Sequence, residues 1–136
     1  MAAAASFIAD CQDSAFFSEV RGYELMRSKV EESRLLLDAL AHQHAQVVEA
    51  DFLREDWSSA SVVYACATCF DSVTMRALEE TKFPLLRPGA CVIVIDKELS
   101  TQGADLPSTL QLIASCQVNT TWGPASARVF LSTRRD

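Results

Sequence analysis

Two acidic residues stand where apolar, strand-like runs of the sequence end. Glu24 closes the run 20–24, and Asp51 closes the run 47–51, with Phe52 directly after it. Ligands of open parallel sheets bind beyond the carboxyl ends of the strands. A carboxylate at the tip of the second strand can accept both hydroxyls of a ribose, and an acid after the next strand could take an adenine amino group while Phe52 packs on the base. The alternative is that both carboxylates only cap helices, where the helix dipole favours their charge.

A second candidate for chemistry is the C-x-x-C sequence formed by Cys66 and Cys69. A zinc site needs about four ligands, and no second Cys pair or His pair is suitably spaced, so we expect no metal site. A thioredoxin-type motif opens a helix, whose dipole lowers the pKa of the thiol, whereas Cys66 ends a strand-like run. We therefore favour buried or pocket-lining thiols over a redox module, which stays the third alternative. The odd total of five cysteines favours a reduced, intracellular (cytoplasmic or nuclear) protein over a disulfide framework.

Composition limits the partners that such sites could serve. The 136 residues fit one domain over 1–136, and 49% of them are hydrophobic, which is enough for one buried core. Twelve Lys and Arg against eighteen Asp and Glu give a net charge of −6, without the basic run that marks nucleic-acid binding. No apolar stretch reaches the roughly 20 residues that a membrane span needs. We expect no direct contact with nucleic acid or membrane.

The elements that must position these residues alternate between strand and helix patterns, which predicts an α/β protein with a parallel sheet. Apolar positions spaced by three and four predict a helix through Met26, Val30, Ser33, Leu37 and Leu40. A second helix is capped by Asp71 or Ser72, contains Met75, Leu78 and Lys82, and ends at Phe83-Pro84. Residues 2–9 also favour a helix. Strand chemistry occurs in 16–23, 45–49, 61–67, 91–95, 110–118 and 127–132; of these, 61–67 and 91–95 are predicted to be buried on both faces, and the last two to pair antiparallel through Trp122-Gly123-Pro124.

Several of these segments, in order, resemble one superfamily. They are Gly22-Tyr23-Glu24, the block 48–57 containing Asp51-Phe52, the run 60–71 containing Cys66, the turn Leu86-Arg87-Pro88-Gly89-Ala90, and Thr121-Trp122-Gly123 followed by Val129-Phe130-Leu131. Together they resemble the S-adenosylmethionine-dependent methyltransferases with the Rossmann-like class I fold. Among these the sequence is most similar to the histone-lysine methyltransferases that lack a SET domain, the disruptor-of-telomeric-silencing family.

The resemblance implies a cofactor, S-adenosyl-L-methionine, and no metal. It implies that Glu24 holds the ribose hydroxyls, that Asp51 accepts from the adenine amino group and that Phe52 packs against the adenine. Cys66 falls where the family usually has an Asn beside the methyl-transfer channel, and it is the fourth candidate for cofactor binding. No catalytic side chain is assigned. The methyl acceptor is expected to be a protein side chain, with histone-type lysine as the narrowest candidate, or a small molecule.

One part of the family pattern has no counterpart in this sequence. The family's first strand and its Gly-rich loop are absent, and the four glycines, at positions 22, 89, 103 and 123, form no G-x-G-x-x-G. That strand is central in the family's sheet, so its absence leaves two buried strands without a hydrogen-bonding neighbour. We therefore expect an N-terminally truncated Rossmann-like class I sheet, mostly parallel, with a closing antiparallel hairpin. The alternative function is a non-catalytic, methyltransferase-like binding module, with a partner, an oligomer or an N-terminal segment completing the sheet.

Overall fold

The computed structural model describes residues 17–41, 44–99 and 109–134. The chain divides into two compact units, Met1–Glu55 and Asp56–Asp136, and each is described by itself. That 1–136 form a single domain stays a prediction. The helix predicted for residues 2–9 lies outside the described residues.

The first unit contains β1 (Val20–Glu24), α1 (Arg27–Ala39) and β2 (Ala45–Glu49). β1 and β2 pair in parallel over their whole lengths. The predicted helix is confirmed, and its apolar stripe buries Val30 and Leu37. The strand predicted from residue 16 is shorter than expected. It begins at Val20 because the ladder to β2 starts there, where the Val20 N–H donates to the His44 carbonyl at 2.8 Å.

The second unit contains a four-stranded sheet in the order β3-β4-β6-β5. The strands are β3 (Val62–Cys66), β4 (Cys91–Ile95), β5 (Leu110–Thr120) and β6 (Gly123–Ser132). β3 and β4 are parallel, whereas β6 is antiparallel to both β4 and β5. Between β3 and β4 the chain forms α2 (Ser72–Ala77), a π-helical turn (Leu78–Lys82) and a 3₁₀ turn (Phe83–Leu85). The second predicted helix is therefore confirmed only in part, because its regular α-helical portion ends at Ala77.

The core of the second unit lies around β4 and β6. Val92, Val94 and Phe130 are fully buried, and β4 is an interior strand between β3 and β6. On its other face Ile95 is buried but Cys91 and Ile93 are half-buried, so the predicted burial on both faces is confirmed only in part. The prediction that β3 is buried on both faces is wrong, because Val62 and Tyr64 on one of its faces are 40% and 37% exposed. In the described part of this unit β3 is an edge strand with β4 as its one neighbour, so its apolar sequence does not produce interior burial.

The antiparallel pair predicted near the end of the chain is confirmed, with longer strands than expected. A tight turn at Thr121–Trp122 joins β5 to β6, so that Pro124 lies inside β6, opposite Asn119. The register shifts between Leu112 and Ala114, which leaves Ile113 as the extra residue of a β-bulge. Within the described ranges, no helix has the length and apolar character needed to cross a membrane.

Candidate functional site

The carboxyl ends of β1 and β2 bring together three of the four predicted cofactor-binding residues. Glu24 is the last residue of β1, and Asp51 and Phe52 follow closely after the end of β2. The Ala50 N–H donates to the Glu24 carbonyl at 3.1 Å, which holds the chain leaving β2 beside the end of β1. Parallel pairing then places the three residues at one edge of this two-stranded sheet.

The Glu24 carboxylate stabilises the turn into α1. Its Oε1 accepts a hydrogen bond from the Met26 N–H at 2.9 Å. The helix begins one residue later, and Met26, its N-cap, makes no side-chain capping hydrogen bond. Glu24 is therefore not the N-cap of α1, but its side chain orders Met26, which is. The helix-capping alternative holds for Glu24 only in this indirect way.

Asp51 is more fully engaged with its own loop. Its Oδ1 accepts from the Leu53 N–H at 3.0 Å, and its Oδ2 lies 3.5 Å from Nε of Arg54. The Arg54 N–H also donates to the Asp51 carbonyl at 2.9 Å, which closes a turn through Phe52. A turn rather than a helix follows Asp51, so the helix-capping alternative does not hold for this residue. Phe52 is half-buried on this turn.

Cys66, the fourth predicted residue, lies in the second unit, where it is the last residue of β3 and half-buried. Its Sγ is 3.9 Å from Oγ1 of Thr68. Cys69 is exposed in the following turn, ahead of α2. The prediction that the first cysteine ends a strand, instead of opening a helix as in thioredoxin-type motifs, is confirmed. In the part of the chain that the structure describes, no group of His, Cys, Asp or Glu is arranged to hold a metal ion.

The structure adds a strand-end carboxylate that the sequence interpretation missed. Asp96 directly follows β4, accepts from the Thr68 hydroxyl at 2.8 Å through Oδ2, and accepts from the Ser126 N–H at 3.2 Å through Oδ1. The Thr68 hydrogen bond is the main reason that the pKa of Asp96 lies below its ordinary value. Its φ of 64° is uncommon for a residue other than glycine. The signal that could have found it is the one applied to Glu24 and Asp51, an acid directly after a strand.

A cleft of about 470 Å³ lies beside these loops in the second unit. Phe70 and Asp71 line it from the segment after β3, and Lys97 and Glu98 line it from the segment after β4. Asp71 caps α2, as predicted, by accepting from the Thr74 N–H at 2.7 Å, and this hydrogen bond lowers the pKa of the carboxyl. The cleft therefore combines an aromatic ring with charges of both signs at the carboxyl ends of two parallel strands.

The chain's similarity to known proteins is structural. No protein-family model matches it, and no curated protein matches its sequence. It is similar to the N-methyltransferase NodS from Bradyrhizobium japonicum WM9, with a TM-score of 0.62 and 12% identity over 85% of this chain and 74% of that one. It is also similar to an RNA methyltransferase from Salinibacter ruber, solved with S-adenosyl-L-homocysteine. The TM-score is 0.61, and the identity is 17% over 87% of this chain and 68% of that one. The comparison with TrmN from Thermus thermophilus gives a TM-score of 0.71 and 13% identity over 93% of this chain and 40% of that protein.

The fold is the Rossmann-like class I methyltransferase fold. The strand pattern agrees with it, since two parallel pairs are followed by an antiparallel hairpin. The predicted fold class is therefore confirmed. The narrower resemblance to the histone-lysine family is not supported by these structures, which are named for other methyltransferases.

Proposed function

We propose that the chain is the core of an S-adenosylmethionine-dependent methyltransferase. The observation that carries the proposal is the position of Glu24, at the carboxyl end of a parallel strand, beside the end of the next strand, in a class I methyltransferase fold. Ligands of open α/β sheets bind at this edge. The S-adenosyl-L-homocysteine in the Salinibacter ruber protein supports the same class of cofactor.

The residues at this edge suit a nucleoside. A carboxylate has two oxygens and about four lone-pair sites, so Glu24 can keep the Met26 N–H and still accept from ribose hydroxyls. We assign Asp51 to the adenine amino group and Phe52 to the adenine face. Cys66 belongs to the second unit, and its role beside a methyl-transfer channel stays a prediction.

S-adenosylmethionine supplies an electrophilic methyl group on a sulfonium, whose in-line displacement demands orientation and proximity more than a covalent catalyst. The contribution assigned to this chain is therefore binding and orientation. Glu24 fixes the ribose through charge-assisted hydrogen bonds, which are about twice as strong as neutral ones. The turn held by Asp51 orients Phe52 for packing.

For the methyl acceptor we propose a small molecule or a protein side chain. Two of the similar structures are named as an N-methyltransferase and an RNA methyltransferase. An RNA acceptor is disfavoured by the net charge of −6 and the lack of a basic run, because phosphate binding depends on Lys and Arg. Histone lysine is the narrower possibility. It is disfavoured by Cys66, since a thiol is a weak hydrogen-bonding substitute for an amide, and docking to a nucleosome is disfavoured by the lack of basic segments.

Calorimetric titration of S-adenosyl-L-homocysteine into the 136-residue chain tests the cofactor proposal. We expect saturable binding that Glu24→Ala weakens by about 10- to 150-fold, the value of one hydrogen bond to a charged group. Glu31→Ala is the matched control, because Glu31 is an exposed acid of the same unit whose ion pair with Arg27 lies on the surface of α1. The absence of binding by the folded chain, or equal affinities for the two variants, would contradict the proposal.

The second candidate function is a cofactor-binding module without transfer activity. The observation that favours it is the lack of a Gly-rich loop, since no two of the four glycines have the G-x-G spacing. Incubation with methyl-labelled S-adenosylmethionine and a panel of amine, thiol and hydroxyl acceptors separates the two candidates. Binding with labelled product supports the enzyme, whereas binding without product for any acceptor supports the module.

A further inference from the structure

Strand β5 is a long edge strand without charged residues or proline, and beyond its bulge at Ile113 the segment from Ala114 to Thr120 is regular. It has β6 as its one strand neighbour among the described residues, and all seven residues from Gln111 to Gln117 are exposed, including Leu112 and Ile113 at 40% and 53%. Natural edge strands are commonly guarded by charged residues or proline. β5 contains no Asp, Glu, Lys, Arg or Pro, although 22% of the chain is charged. β5 therefore lacks the charged residues and proline that commonly prevent an edge strand from pairing with another strand.

The hydrogen bonds that β6 makes on its side away from β5 show which N–H and C=O groups of β5 point to the open edge. The Ser126 carbonyl accepts from the Asp96 N–H at 2.8 Å, and the Ser126 N–H donates to the Asp96 carboxylate at 3.2 Å. Both main-chain groups of Ser126 thus point away from β5. Gln117 lies opposite Ser126, so its own N–H and C=O point to the open edge. By alternation the same holds for Ser115 and Asn119.

These three residues form a self-complementary set. The ladder is regular from Ala114 to Thr120, beyond the bulge at Ile113, and Gln117 is its central residue. If a second copy of β5 lies antiparallel with a two-fold axis at Gln117, Gln117 faces Gln117 and Ser115 faces Asn119 in both directions. The six outward N–H and C=O groups of each copy then pair with the six of the other copy, which makes six main-chain hydrogen bonds.

The side chains suit the same register. Ser115, Gln117 and Asn119 share one face of β5, so the pairs across the axis are amide with amide and hydroxyl with amide. Cys116 and Val118 share the other face and meet each other across the axis. Two copies that each carry a net charge of −6 repel one another, and a strand without charge is a surface where they can approach.

We propose that this chain associates with a second copy of itself by antiparallel pairing of β5, centred on Gln117, so that the four-stranded sheets of the two second units become continuous. The contact is short, about 24 Å for seven residues. A contact limited to one pair of short strands is expected to bury less surface area than a standard stable interface, so it belongs to the weak, transient class. The dimer is therefore in exchange with the monomer, and the proportion of dimer rises with protein concentration.

Charge substitution at the two-fold axis tests the proposal. Sedimentation equilibrium is run on the wild type, on Gln117→Glu and on Gln117→Lys, each alone, and on an equal mixture of the two variants. Each substitution places like charges directly opposite one another, so we expect the dissociation constant of each variant to rise about fivefold. The mixture places Glu opposite Lys and regains the wild-type affinity. Gln111→Glu is the matched control, because it adds the same charge to an exposed position of β5 on the far side of the bulge, and it leaves the affinity within about threefold.

A crosslinking pair tests the register. In a Cys116→Ser background, Gln117→Cys faces its own copy at a Cα separation near 5.5 Å, within disulfide range. Ser115→Cys is about 14 Å from its copy along the strands. We expect an oxidised dimer from the first variant and none above the Cys116→Ser background from the second. A wild type that stays monomeric up to about 1 mM, or a charge-variant mixture that fails to associate, overturns the proposal, and so does equal crosslinking at both positions.

Discussion

Gly22, in the middle of β1, offers a direct test of how β1 and β2 pack. A Cβ atom at this position would lie 3.6 Å from Cγ2 of Val47 and 3.8 Å from the Gln46 carbonyl oxygen. These are ordinary van der Waals separations, and the residue does not have the left-handed φ that favours glycine. Alanine therefore fits without displacement. Replacing a glycine at a compatible position stabilises a protein by about 0.4–1 kcal/mol, because the unfolded chain has less conformational freedom to lose.

We therefore expect Gly22→Ala to stabilise the first unit by about 0.5–1 kcal/mol, and the new methyl group adds contact with Val47. Native-state hydrogen exchange of the β1 and β2 amides measures this locally, and the stabilisation corresponds to opening that is about two- to fivefold rarer. Gly89→Ala is the contrasting variant. Gly89 has open space around a Cβ but a φ of +76°, so alanine there is strained and the second unit loses about 1–2 kcal/mol.

Lower protection of the β1 amides in Gly22→Ala would contradict the packing described for β1 and β2. That result would mean that the space beside Gly22 is occupied, and that the strand separation which allows the methyl group is not the one formed in solution. If Gly22→Ala leaves the protection of the β1 amides unchanged while Gly89→Ala is destabilised, the packing beside Gly22 is as described. Only the expected entropy gain at Gly22 would then be too large.

Three further predictions concern the second unit. Phe130→Ala, which empties a position with 1% exposure, is expected to cost about 3–5 kcal/mol in urea unfolding, whereas Ile113→Ala, at a 53% exposed position, changes stability by less than about 0.5 kcal/mol. Because the pKa of Asp96 is lower in the folded chain than in the unfolded one, its stabilising contribution is complete above its ordinary pKa and is lost as pH falls through the lowered value; Asp96→Asn should flatten this acid limb in pH-dependent unfolding, and an identical limb would exclude Asp96 as its source. Burial raises the pKa of Cys91, so mass spectrometry after brief alkylation at pH 8 should find the exposed Cys116 modified before Cys91, and the reverse order would contradict the described burial.

Local patterns were sufficient for much of the fold. The helix stripe ending at Leu40 predicted α1, and the run 45–49 predicted the bounds of β2, because each depends on periodicity within a few residues. The hairpin was found for the same reason, although Pro124 was assigned to its turn. Proline is tolerated in β6 because Pro124 and Asn119 form a non-hydrogen-bonded pair, so the N–H that proline lacks would point away from β5.

Burial and partners were predicted less well, because they depend on which strands become neighbours. The run 61–67 is as apolar as an interior strand, yet β3 has one strand neighbour in its unit and exposes Val62 and Tyr64. Asp96 was missed although it follows β4 directly, whereas Asp51 lies two residues beyond the end of β2. Its importance comes from Thr68 and Ser126, which are 28 and 30 residues away in sequence, and no local pattern reports such contacts.

The strand-end carboxylates also show why a capping role and a ligand role could not be separated from sequence. Both roles require an acid at the same position, since the turn that leaves a parallel strand has N–H groups to satisfy and is also where ligands bind. The structure distinguishes the acids by what they already hold. Asp51 contacts Leu53 through one oxygen and Arg54 through the other, whereas Glu24 makes a single side-chain hydrogen bond within the described residues, to Met26. A ligand at this edge competes with fewer existing contacts at Glu24, so Glu24 is the stronger candidate for the ribose and Asp51 serves first to order the turn that presents Phe52.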